Sequence, residues 1–112
     1  MGLQGEPQRQ GARVIEPGPE TQGFSVDVVQ LVDFAGPHHR HPEGELCAIF
    51  AARVEGRFDG RPRGWAVYPP GSDHVPEATG GRVRILFLLP GGRIDYSAAE
   101  ASLSSGTAGA AD

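Results

Sequence analysis

The sequence predicts a small all-β domain, an antiparallel sandwich or barrel, and three observations predict it. Seventeen glycines and ten prolines in 112 residues disfavour long helices and favour short strands joined by tight turns. Apolar runs recur at short intervals, separated by turn chemistry in GRFDGRPRG, PPGSDHVPEATGG and PGG. No segment carries the helical period of about 3.6 residues. A chain of this length holds one core, since a second would need more than roughly 100–150 residues.

Taken in order, residues 1–22 are rich in Gly, Pro, Gln and Glu. They are expected to form a flexible N-terminal arm with room for one short extended piece at Val14 and Ile15. Phe24, Val26 and Val28 alternate with Ser25 and Asp27, the pattern of a strand with one buried face. Val29, Leu31 and Phe34 then continue on the other parity, as a bulge or a strand covered on both sides would require. Leu46 to Val54, Arg57-Phe58, Gly64 to Tyr68 and Val83 to Leu89 complete the strands. The folded domain is thus expected over 23–96. Residues 97–112, small and low in complexity, read as a mobile C-terminal tail.

Charge and composition exclude several functions. Ten basic residues, all Arg, are outnumbered by 14 Asp and Glu, for a net charge of −4. A protein that binds nucleic acid through phosphates carries the opposite balance. The first ten residues hold no apolar signal core, and the aliphatic run Ile85 to Leu89 is far too short for a bilayer. One cysteine makes no internal disulfide. A soluble cytoplasmic protein without membrane or nucleic-acid partners is expected, and the small core makes a homodimer a reasonable expectation.

The chemistry concentrates in the four histidines, His38, His39 and His41 in GPHHRHPEGE and His74 in PPGSDH. On a strand His39 and His41 project from one face, close enough to grip one ion. Glu45 follows a Pro-Glu-Gly turn that can return its carboxylate to that face, and His74 arrives from a separate hairpin. Three neutral imidazoles and a carboxylate suit Fe, Mn, Ni or Zn and leave coordination positions for substrate or water.

His39-x-His41-x3-Glu45 followed by Gly64-x4-Pro69-x-Gly71-x2-His74 resembles the two motifs of the cupin superfamily. Ala52 and Ala78 stand where that pattern carries glycine and asparagine. The resemblance implies a double-stranded β-helix (jelly-roll) barrel with His39, His41, Glu45 and His74 as metal ligands. Over Ala12 to Tyr96, GFSVDVVQLVDFAGPHHRHPEGE, FDGRPRGWAVYPPGSDHVPEATGGR and LFLLPGGRIDY are more specifically similar to the 4-hydroxylaminobenzoate lyase family. That family carries a helical segment ahead of this region, where this chain has its Gly/Pro-rich arm. Membership would imply conversion of 4-hydroxylaminobenzoate to 3,4-dihydroxybenzoate with release of ammonia. The balance takes up one water and consumes neither oxygen nor a nicotinamide, in keeping with the lack of a Gly-rich dinucleotide motif. A cupin dioxygenase acting on a small aromatic acid and a non-catalytic small-molecule-binding cupin are the alternatives.

Further candidates surround this set. His38 and Glu43 are candidates for proton transfer. Arg82 and Arg84 share a face of the last strand and would pair with a substrate carboxylate if that face lines the barrel. Trp65, Tyr68, Phe50 and Phe87 are candidates for stacking on an aryl ring. Cys47, two residues beyond Glu45, reads as a small buried hydrophobe, and Asp73 as a turn cap or an orienter of His74.

Overall fold

The computed structural model describes residues 8–97, so the expected tail from 98 onward and residues 1–7 lie outside the described part of the chain. Nine strands and one short 3-10 turn (Pro19–Thr21) follow one another: β1 (Gln8–Ile15), β2 (Phe24–Val32), β3 (His39–His41), β4 (Glu45–Ala52), β5 (Arg57–Phe58), β6 (Gly64–Tyr68), β7 (Ser72–His74), β8 (Ala78–Thr79) and β9 (Arg82–Pro90). β1, β2, β9, β4 and β6 lie side by side in one sheet, while β3 pairs with β7 and β5 with β8 in two short ladders. From β2 to β7 the chain alternates between the large sheet and the ladders, β8 joins the second ladder, and β9 returns to the sheet. This alternation makes a double-stranded β-helix, and the expected small cupin-like barrel is what the chain forms.

β9 is the centre of the sheet because its Val83, Ile85 and Leu89 are wholly buried and it pairs with both β2 and β4. Its other parity, Arg82, Arg84, Leu86 and Leu88, faces outward. In β2 the buried positions are Ser25, Val29 and Leu31, and the Phe24, Val26 and Val28 side is only half-buried. The β2–β9 register runs unbroken from Phe24↔Pro90 to Val32↔Arg82. The parity switch in the sequence therefore reflects a strand covered to different degrees on its two faces, with no bulge against β9. Irregularities fall instead in β1, between Arg13 and Ile15, and in β4, between Ile49 and Ala51, where Phe50 is put outside.

The expected flexible arm is corrected over residues 8–15. β1 pairs with β2 from Gln8↔Val32 to Ile15↔Val26, and Arg13 Nε donates to Asp27 Oδ1 at 2.9 Å. All eight residues of β1 are exposed, so no buried alternation marks the strand. Backbone hydrogen bonds and the Arg13 pair hold it, and neither leaves a hydrophobic signature.

The turn Pro42-Glu43-Gly44 sets the path from the histidine pair to Glu45. Gly44 has φ +87°, and a Cβ there would lie 2.9 Å from the Tyr68 carbonyl oxygen. Gly60, with φ +79°, has open space around it. Gly44→Ala is expected to cost more stability than Gly60→Ala, with backbone strain alone about 1–3 kcal/mol in each. Urea-unfolding midpoints of the two variants check the ranking, which equal losses would contradict.

Candidate metal centre

The β3–β7 ladder builds the centre. Its antiparallel register sets His39 opposite His74 and His41 opposite Ser72, so the three imidazoles share one face of a two-stranded ribbon. Their ligand nitrogens all lie within 4.8 Å of one another. His74 Nε2 stands 3.0 Å from His41 Nε2 and 3.0 Å from His39 Nε2. His41 is fully buried and His39 nearly so. Glu45 enters from β4 in the opposite layer, buried, with Oε1 3.4 Å from His41 Nε2.

A residue that the sequence reading passed over completes the arrangement. Asp59 Oδ2 accepts hydrogen bonds from His74 Nδ1 at 2.7 Å and from the Tyr68 hydroxyl at 2.6 Å, and its Oδ1 accepts from the Glu77 backbone N–H at 2.9 Å. Burial pushes the Asp59 carboxyl upward, but these hydrogen bonds outweigh it and hold the group below the usual carboxylate range. With its Nδ1 proton committed to Asp59, His74 turns an Nε2 lone pair toward the other two rings. The signal was present in the sequence as an Asp-Gly turn. Asp59 sits at φ +50° and Gly60 at +79°, conformations that favour those two residue types. Asp73 does not orient His74, because it is bonded to His38 at 2.6 Å on the opposite side of the ladder.

The electrostatics favour neutral donors. Burial first, then the neighbouring histidines, lowers His39 and His41 to about 4. Burial first, then the charges of Asp27 and Asp59, raises Glu45 to about 8. His41 Nδ1 and Glu45 Oε1 are buried without a hydrogen-bond partner among the described residues. One His74 lone pair cannot satisfy two N–H donors, whereas a cation at the meeting point of three lone pairs satisfies all three. His74 Nε2 lies 3.0 Å from each of the other two Nε2 atoms, and all three ligand nitrogens fall within 4.8 Å, close enough for one ion to be shared. The three imidazoles can therefore hold a metal ion.

The remaining candidates are placed as follows. Tyr68 lies in the site, its ring 4.6 Å from that of His74. His38 is outside the cluster, on the parity opposite His39, and bonded to Asp73. Glu43 is exposed in its turn and paired with Arg93 at 3.5 Å. Arg82 and Arg84 face outward on β9, with Arg84 Nε bonded to Gln30 at 2.8 Å. Trp65 (68% exposed) and Phe50 lie on the outer face of the sheet. None of these last six reaches the imidazoles: alternation turns Trp65, Arg82 and Arg84 outward, the β4 bulge does the same for Phe50, and His38 and Glu43 pair with Asp73 and Arg93. Cys47 is buried core, its thiol pushed up to about 12 by burial and then by Glu45. Beside the imidazoles opens a cavity of about 120 Å³, walled mostly by apolar side chains including Val29, Phe34, Phe58 and Phe87.

Residues 2–96 match the family described as 4-hydroxylaminobenzoate lyase (PnbB). The chain belongs to this family. Among curated relatives, a 4-hydroxylaminobenzoate lyase of Nocardioides sp. (strain LMS-CY) is 37% identical over 98 residues, covering 80% of this chain and 57% of that protein. One of Pseudomonas putida is 34% identical over 105 residues, covering 80% and 60%. The chain thus spans somewhat over half the length of these relatives. Among solved structures it is similar to the DMSP lyase DddQ from Ruegeria pomeroyi DSS-3 (TM-score 0.47, 20% identity, 83% of this chain and 53% of that one). A recombinant oxalate oxidase in complex with glycolate is also similar (TM-score 0.41, 15% identity, 83% and 56%).

Two outcomes follow from this geometry. Replacing Asp59 with Asn removes the charge that fixes the His74 proton and should weaken zinc or cobalt binding about 10- to 100-fold. Competition with a chromophoric chelator measures it, and unchanged affinity would contradict the role. In the metal-free chain, the unfolded state takes up protons at His39 and His41 between pH 6.5 and about 4 that the folded state refuses. Stability therefore falls on acidification. Glu45 acts in reverse, since from pH 4.5 to about 8 the folded state keeps a proton that the unfolded state releases, and its contribution falls as pH rises. Two imidazoles outweigh one carboxyl below pH 6.5, so the thermal midpoint in chelator should peak near pH 6.5. A midpoint that climbs steadily to pH 8.5 would contradict these shifts.

Proposed function

We propose that the protein is a metal-dependent lyase that converts 4-hydroxylaminobenzoate, or a related aryl hydroxylamine, to 3,4-dihydroxybenzoate with release of ammonia. The observation that carries this reading is the convergence of His39, His41 and His74 beside an apolar cavity, in a chain of the 4-hydroxylaminobenzoate lyase family. Three neutral imidazoles with the buried carboxylate of Glu45 would hold a divalent Fe, Mn, Ni or Zn ion. Glu45 supports its part as fourth ligand by its orphaned oxygen and raised pKa, both of which a nearby cation would relieve.

Such an ion supplies Lewis acidity to the hydroxylamine oxygen or to a water at its open positions. The chain's own residues do the rest. Asp59 and Tyr68 hold His74 in the tautomer that offers Nε2. Phe58 and Phe87, edge to face at 5.7 Å, present apolar surface for an aryl ring. Their surface also keeps bulk water from the electron-rich ring while the N–O bond breaks. Addition of one water and loss of one ammonia balances the reaction, so no redox partner enters it. A homodimer, if formed, has the outer sheet face available, where Phe50, Trp65 and Val67 are exposed.

Protein purified without added metal, then loaded with each candidate ion, should release ammonia from 4-hydroxylaminobenzoate equally with and without dissolved oxygen. Chelation should abolish turnover, as should His41→Ala, while His38→Ala should keep both ion and activity. Strict dependence on oxygen would replace the lyase with a dioxygenase, and ligand affinity without product would replace it with a binding protein.

A further inference from the structure

Arg9 is the one arginine among the described residues that line the cavity beside the imidazoles. In the β1–β2 register Arg9 lies opposite Leu31 and Arg13 opposite Asp27, so both arginines sit on the inward face of the sheet. Arg13 is fully engaged, with Asp27 at 2.9 Å, the Gly92 carbonyl at 3.2 Å and Glu16 at 3.7 Å. The Arg9 guanidinium makes no ion pair among the described residues. Gly11 between them lets β1 approach, since a Cβ there would meet Val29 Cγ2 at 2.9 Å.

We propose that Arg9 is a specificity-determining residue that receives the carboxylate of an aromatic acid at the end of the cavity away from the imidazoles. The inference rests on the lyase reading for the identity of the reacting group, and on the geometry for the carboxylate. Arg9 belongs to the five-stranded sheet and His39 and His74 to the facing ladder, so a ring between them is addressed from two opposite walls. A para-substituted ring has its two substituents at opposite ends and fits that requirement. Asp27, the acidic group nearest on the same sheet face, is already neutralised by Arg13, which leaves the Arg9 charge for a ligand. The guanidinium fork matches a carboxylate through two parallel hydrogen bonds; Arg9 stands on the exposed edge strand, with Val29, Leu31 and Phe34 lining the cavity beside it.

The test uses metal-loaded wild type, R9Q and R9K with two substrates, 4-hydroxylaminobenzoate and N-phenylhydroxylamine, and two unreactive ligands, 4-hydroxybenzoate and phenol. R9Q should raise KM for the carboxylated substrate about 10- to 100-fold with kcat nearly unchanged. It should leave the uncharged substrate alone, and R9K should fall between. Calorimetry should show the same selective loss for 4-hydroxybenzoate against phenol. If wild type turns over neither substrate while R9Q still selectively weakens 4-hydroxybenzoate, the lyase reading fails and the Arg9 assignment stands. Equal effects on charged and uncharged ligands, an unchanged affinity for 4-hydroxybenzoate, or no wild-type preference for it over phenol would each overturn the assignment.

Discussion

Burying His39 and His41 beside His74 makes charge on these rings costly, and the rest of the site follows from that constraint. An imidazole that cannot afford a proton keeps a lone pair, and three lone pairs brought within 4.8 Å repel unless something positive lies between them. Glu45 shows the complementary tension, a buried carboxyl driven toward its protonated form by the same apolar surroundings. A divalent ion bound there would accept the lone pairs and offset the carboxylate.

The fold delivers these groups through its alternation between layers. The β3–β7 ladder sets His39 and His74 face to face, and the tight turn at Gly44 sends the chain across to β4 so that Glu45 enters from the other side. The Asp59-Gly60 turn, with both residues at positive φ, aims a carboxylate at the back of His74. Each device is local, and each depends on the β2–β9–β4 sheet to hold the two layers at a fixed distance. A site built this way needs little chain, which explains how a small core supports it.

Much of this was legible in the residues. The spacing of His39, His41 and His74 pointed to the three imidazoles that the fold brings together, because two residues apart on a strand share a face. The strands around β4, β6 and β9 were readable from their apolar runs. β1 was not, because all its side chains are exposed, and β7 and β8 were not, because they have three and two residues. Parity alone did not place Trp65, Phe50, Arg82 and Arg84 inside or outside. β9 carries apolar residues on both faces, Ile85 and Leu89 inward and Leu86 and Leu88 outward, so alternation identifies two faces without saying which one meets the cavity. Asp59 was hidden because a carboxylate in a turn has the same local pattern whether it caps the turn or reaches a histidine in the next hairpin.

The central claim is that one ion sits among three imidazoles from two strands. X-ray absorption on protein loaded with zinc, combined with binding stoichiometry, tests it most directly. One ion per chain with three imidazole nitrogens at about 2.0–2.1 Å is the expected result, together with loss of that signature on replacing any one of His39, His41 or His74 by alanine. Zinc held with unchanged affinity and coordination after one of those replacements would contradict the account.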